Sequence, residues 1–181
     1  MTIEEGQRDV RTVFLGGFPG QLASGILWLI SAAAATWGST RAGILLIVLG
    51  GMFIFPMAQL VLRLMGRRAS LRPDNPFNQL AMQVAFTIPL TLPLVGAAAL
   101  HRLHWFYPAM MIVVGAHYLP FCFLYGMRMF AVLAGLLIVG GVMIGVYASQ
   151  SFALGGWVTG TVLLFFALLG LRIASREARP T

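Results

Sequence analysis

The sequence predicts an all-α, polytopic membrane protein with six transmembrane helices and both termini in the cytoplasm. Three observations predict it. Six apolar stretches of roughly membrane-spanning length follow one another between Val13 and Ser175, and none contains Asp or Glu. A bilayer core of ~30 Å takes roughly 20 apolar residues per helix, so six helices use about 120 residues and leave only short loops. All twelve basic residues are Arg, and they crowd onto alternate connections. With 59% hydrophobic and 9% charged residues, against about 25% charged in soluble domains, the chain cannot cover a water-facing surface. Residues 1–181 therefore read as a single integral membrane domain, with no room for a soluble catalytic domain.

Each element has its own signature. Residues 1–12 are polar, and Thr2 with Glu5 fits a capping box opening a short interfacial helix. The acidic start, Met1-Thr2-Ile3-Glu4-Glu5, does not fit a cleavable signal. Span 1 is expected over 13–35; its opening Gly16-Gly17-Phe18-Pro19-Gly20 is poor helix material, and Pro19 marks the true first turn. Span 2 covers 42–64, broken near its middle at Pro56. Asn75-Pro76 reads as an N-cap followed by proline at the first helical position of span 3, 76–100, which holds Pro89 and Pro93. Span 4 follows over 105–125 with Pro120 inside, then span 5 over 129–147 and span 6 over 152–175.

Orientation follows from arginine. Arg8, Arg11, Arg63, Arg67, Arg68, Arg72, Arg128, Arg172, Arg176 and Arg179 fall on one side, and only Arg41 and Arg102 on the other. Ten against two places the rich side in the cytoplasm. Trp37, Trp105, Phe106, Tyr107 and Tyr147 fall at the opposite interface, as an aromatic belt would. The bacterial inner membrane is the expected location, and membrane lipid the expected contact of the Arg63–Arg72 cluster. The net charge of +7 is thereby assigned to topology rather than to nucleic acid, since no basic soluble face exists.

An internal repeat is suggested. Gly51 through Leu60 and Gly115 through Leu124 share the spacing of Gly, Pro and Leu, and Gln-Leu-Ala recurs at 21–23 and 79–81. Two-helix hairpins repeated in parallel explain this, and so does chance in a chain this rich in Gly and Leu. The blocks Gly50-Gly51-Met52-Phe53-Ile54-Phe55-Pro56 and Gly115-Ala116-His117-Tyr118-Leu119-Pro120-Phe121 resemble those of small bacterial membrane proteins classed as a domain of unknown function. The resemblance covers most of the chain. It implies a multi-helix membrane protein and carries no activity, ligand or catalytic residue.

The sharpest chemical pattern lies in span 3, where Gln79, Gln83, Thr87 and Thr91 recur every four residues as one slowly drifting stripe. Unsatisfied polar groups in hydrocarbon cost several kcal/mol, so the stripe is expected to face protein or water. It lines a solute path, or it hydrogen-bonds neighbouring helices, or its Thr hydroxyls satisfy carbonyls freed by Pro89 and Pro93. Gln21, Gln59, Gln83 and His117 fall roughly 8–12 Å below the inner surface at 1.5 Å per residue. Converging, they would form a neutral hydrogen-bonding layer. Gln21, Gln59, Gln83, Thr87, His117 and Tyr118 are accordingly the candidate ligand contacts. Gly141/Gly145 and Gly156/Gly160 have small-xxx-small spacing; they suit close packing of spans 5 and 6, or a homo-oligomer.

Exclusions bound the chemistry further. Cys122 is the single cysteine, so no intrachain disulfide or CxxC pair exists. No span carboxylate is available for cation coupling. No phosphate loop, zinc motif or Ser-His-Asp pattern is present, and His101 and His104 lack a third metal ligand. No cofactor or catalytic residue is expected. The leading expectation is a small transporter or channel-like protein for a neutral or weakly polar solute. The alternative is a non-transporting scaffold or sensor acting through helix–helix contacts, and the third a lipid-interacting or intramembrane enzyme.

Overall fold

A computed structural model describes residues 1–148 and 150–177; Arg179 lies outside them. Among the described residues all regular structure is helical. The elements are α1 (Ile3–Val13), α2 (Phe18–Trp37), α3 (Thr40–Gly51), α4 (Ile54–Leu64), α5 (Phe77–His101), α6 (Phe106–Tyr125), α7 (Met129–Tyr147) and α8 (Leu154–Glu177). Five helices, with starts at Leu15, Phe77, Leu103, Met129 and Leu154, are long and apolar enough to cross a membrane. The pair α3 and α4 passes only jointly, bent by 60° at the break.

Local chemistry explains these boundaries. Thr2 and Glu5 form the reciprocal capping box that opens α1. The chain then turns through three successive left-handed residues, Leu15 (φ 50°), Gly16 (65°) and Gly17 (87°). Gly17 is the N-cap of α2, and Pro19 sits in its first turn. Gly16 is packed against the carbonyl of Gly170 on α8, so a side chain there meets backbone as well as an unfavourable φ. Span 2 breaks at Met52-Phe53, directly after Gly50-Gly51. Pro56 therefore lies in the first turn of α4, where its missing N–H costs no helical bond; it is not the point of rupture. Pro120 lies inside an unbroken α6, so the two sequence blocks that look alike fold differently.

Close packing defines the bundle. α6 pairs most extensively with α7, and α2 with α8. Gly141 and Gly145 of α7 face Ile112 and Trp105, while Gly156 and Gly160 of α8 face Ala32 and Leu29. The expected glycine contact between spans 5 and 6 is thus redirected. Each helix spends its glycines on an earlier partner, and all four positions are buried within the chain. The core between the pairs holds Trp28, Tyr107, Phe130, Leu133, Leu137 and Leu163. Phe106 and Tyr107 belong to this core and not to an aromatic belt: Tyr107 is 0% exposed, and its ring lies 5.9 Å from that of Trp28, tilted by 48°. Trp37 is exposed and meets Trp157 edge-on. On the outside, α4 packs chiefly on α2, and α5 rests on α6.

The two ends of the bundle are distinguishable. Arg11 bonds Glu177 at 2.9 Å, and Asp9 accepts from Arg68 and from the Arg72 backbone, so the N-terminus, the 65–76 connection and the end of α8 meet. The connections after α2, α5 and α7 lie opposite, where Trp157 Nε1 donates to Thr36 Oγ1.

Candidate functional site

Proline-containing α5 runs beside α6, and this contact creates a side-chain hydrogen bond between two of the candidate residues. Thr87 Oγ1 lies 2.8 Å from His117 Nδ1 and 2.7 Å from the Val84 carbonyl. The hydroxyl has one proton, so donating to Val84 O leaves its lone pairs for a ring N–H on Nδ1, whereas an unprotonated Nδ1 would take the proton instead. The Thr91 hydroxyl donates within its own helix, to the carbonyls of Thr87 and Ile88. Pro89 and Pro93 free the carbonyls four residues earlier, Ala85 and Pro89. Neither Thr hydroxyl bonds to these, so the stripe does not repair the proline gaps.

His117 is half-buried, and its ring lies against Tyr118 and Phe121 at 5.6 and 5.1 Å. Tyr118 is buried and stacks on Phe130. These residues and Tyr125 form an aromatic cluster around Phe130.

The remaining candidates stand apart. Gln21 is 2% exposed near the start of α2, and neither its amide nitrogen nor its oxygen has a hydrogen-bond partner among the described residues. Gln59 is half-buried on α4, whose main neighbour is α2. Gln79 and Gln83 are exposed on the outward side of α5. The expected layer is therefore divided: Thr87, His117 and Tyr118 are neighbours, whereas Gln83 turns outward. A four-residue spacing advances about 40° beyond a full turn, so from Gln79 to Thr91 the stripe swings by about 120°. It leaves one face and reaches another.

Two polar networks escaped the sequence reading. In the core, Ser31 Oγ lies 2.5 Å from the Tyr107 hydroxyl and donates to the Gly43 carbonyl at 2.8 Å, joining α2, α3 and α6. At the arginine-rich end, α1 is a clip. Gln7 and Arg11, one turn apart, donate to the Phe123 and Tyr125 carbonyls at 2.6 Å each, covering groups orphaned by the end of α6. Asn75 donates to Gly6 O and Asp9 Oδ2 while its own oxygen accepts from Phe77 N, starting α5. Asn75 does accept from Phe77 N, but α5 begins at Phe77 with Pro76 in the N-cap position, one residue later than expected; the second role of Asn75, holding α1, depends on a contact 69 residues away.

Two cavities also form at this end. One, of about 560 Å³, is lined by Thr2, Glu4, Glu5, Arg8, Arg11 and Glu177. The other, of about 220 Å³, is lined by Arg8, Arg11, Thr12, Leu15, Arg67, Ala174, Ser175 and Glu177. Neither borders Gln83, Thr87 or His117. No cluster of three metal-binding side chains occurs among the described residues. Chemically, the interior offers neutral hydroxyls that bond largely to backbone carbonyls, with Ser31–Tyr107 and Thr87–His117 joining helices through side chains; the charged chemistry is at the rim.

A family of unknown function (DUF7010) matches residues 3–172. No curated protein and no solved structure gives a significant match. The chain belongs to the DUF7010 family.

Proposed function

We propose that this DUF7010 member is a six-crossing protein of the bacterial inner membrane, a single domain that acts as a scaffold or sensor through helix–helix contacts. In this reading α3 and α4 together make one broken crossing, and the ten-to-two arginine bias holds both termini in the cytoplasm. The observation that carries it is the pairing of Thr87 with His117. The Ser31–Tyr107 bond links helices in the same way, and the two cavities described above lie at the rim. The contact surface is the outward face of α5, where Met82, Gln83, Phe86 and Leu90 are exposed. Gln83 lies about 9 Å along the helix from Phe77. An amide at that depth costs several kcal/mol unless another helix pairs with it.

A second reading has its own support. The break in span 2 and the unpartnered Gln21 amide resemble the unwound helices and polar sites of solute carriers. In that case Gln21, Gln59, Gln83, Thr87, His117 and Tyr118 contact a neutral solute.

Thermal unfolding of the purified protein against a panel of neutral polar metabolites separates the two. The scaffold reading expects no shift from any of them. A wild-type shift that Thr87→Val removes would favour the carrier.

A further inference from the structure

Independently of which reading holds, we propose that the smaller cavity at the arginine-rich end is a binding site for the phosphodiester headgroup of an anionic phospholipid. Its charge is unbalanced. Arg8, Arg11 and Arg67 line it against one carboxylate, Glu177. Glu177 is already paired with Arg11 at 2.9 Å, and Arg11 is further fixed by the Tyr125 carbonyl. Among the described residues Arg8 and Arg67 make neither an ion pair nor a side-chain hydrogen bond. Two exposed guanidinium groups thus flank one concavity. Their planar forks match phosphate oxygens, which accept two parallel N–H bonds from each. Thr12 and Ser175 add hydroxyl donors to the same lining.

The rest of the lining selects a lipid over a free phosphate. Leu15 and Ala174 complete the wall, and both are buried apolar residues. Being largely buried, they present only a narrow apolar edge beside the cationic groups, placed to meet glycerol. The position agrees. Ala174 and Ser175 lie in the last turn of the last membrane-length helix, and Leu15 at the turn between amphipathic α1 and α2. This is the headgroup level, where a basic pocket between helices meets anionic lipid. The larger neighbouring cavity lacks this character, since three carboxylates, Glu4, Glu5 and Glu177, offset its two arginines.

The test is a titration of delipidated full-length protein in neutral detergent with phosphatidylglycerol, followed by native mass spectrometry. Phosphatidylcholine and inorganic phosphate form the comparison arms. The expected result is one phosphatidylglycerol per chain, bound about fivefold more weakly in each of Arg8→Gln and Arg67→Gln. Arg128→Gln removes the same charge from an exposed position at the same end, outside the cavity, and is expected to bind as wild type. Ser175→Leu fills the cavity without changing charge and is expected to abolish binding, which keeps the test valid should an arginine variant fail to fold. Equal weakening in Arg128→Gln would reduce the site to diffuse charge and overturn the proposal. So would equal binding of phosphatidylcholine, retained binding in Ser175→Leu, or displacement of the lipid by inorganic phosphate.

Discussion

A Cβ on Gly25 or Gly160 would meet the other's carbonyl at 3.1 and 3.0 Å, whereas a Cβ on Gly96 of α5 would meet nothing within 4 Å. The α2–α8 and α6–α7 pairs are built on such contacts. Small residues bring backbones together and dispersion holds them, because lipid tails give apolar side chains no preference for protein. The edge formed by α4 and α5 is built differently. α5 buries only Phe77, Val84 and Val95 of its 25 residues, and it leaves amides on its outer side. The centre specifies the fold from within the chain. The edge rests on α2 and α6, is pinned at the start of α5 where Asn75 meets α1, and leaves its outer surface uncovered within the chain.

Substitutions at the glycines should separate these regions most strongly. Gly160→Val inserts a branched side chain between α8 and the Gly25 carbonyl. It is expected to cost about 1–3 kcal/mol or more in detergent unfolding, with Gly96→Ala within about 0.5 kcal/mol of wild type. Comparable losses at both would erase the distinction. The next effect is at the core hydroxyls. Ser31→Ala leaves the Tyr107 hydroxyl buried without its partner, an expected loss of about 1–3 kcal/mol; an unchanged midpoint would show that water reaches the site.

The edge contact is weaker. A double-mutant cycle of Thr87→Val with His117→Phe should give a coupling of about 0.6 kcal/mol, the usual size for interhelical hydrogen bonds in membranes. A coupling of zero would remove the link between α5 and α6. The smallest effect is at the exposed clip. Hydrogen bonding to the Thr2 backbone and side chain holds the Glu5 carboxyl below its ordinary range. A lowered folded-state pKa stabilises above the ordinary carboxylate value of about 4.3 and is lost as pH falls through the depressed one. Loosening of α1, read by amide exchange at Glu5, should therefore appear only below that value and be absent in Glu5→Gln.

Much of the helix layout was legible because crossing hydrocarbon sets a minimum apolar length for a helix. The α7 limits, Met129 and Tyr147, match the expected range, and α5, α6 and α8 begin and end within two residues of theirs. The capping box and the Gly16-Gly17 turn were local and equally readable. Span 2 was misread at Pro56, because proline is the stronger breaker in isolation, yet it sits harmlessly in a first turn once Gly50-Gly51 have ended α3. The site was less legible. Spacing reveals that Gln79, Gln83 and Thr87 form a stripe, but which neighbour each faces depends on helix rotation, set by glycines on other spans. Tyr107 looked interfacial by depth and is core by direction. Ser31, Gln7 and Arg11 carried no pattern, since their partners are backbone carbonyls or residues far along the chain.

The proposal that Thr87 and His117 form a helix–helix link, and not a solute contact, is tested most directly by thiol accessibility at Thr87. In a Cys122→Ser background, Thr87→Cys and Arg67→Cys are exposed to a membrane-impermeant maleimide in inverted vesicles. The account predicts rapid labelling at position 67 and none at position 87. Labelling at 87 at a comparable rate, slowed by a neutral solute, would contradict it and put a water-filled path beside His117.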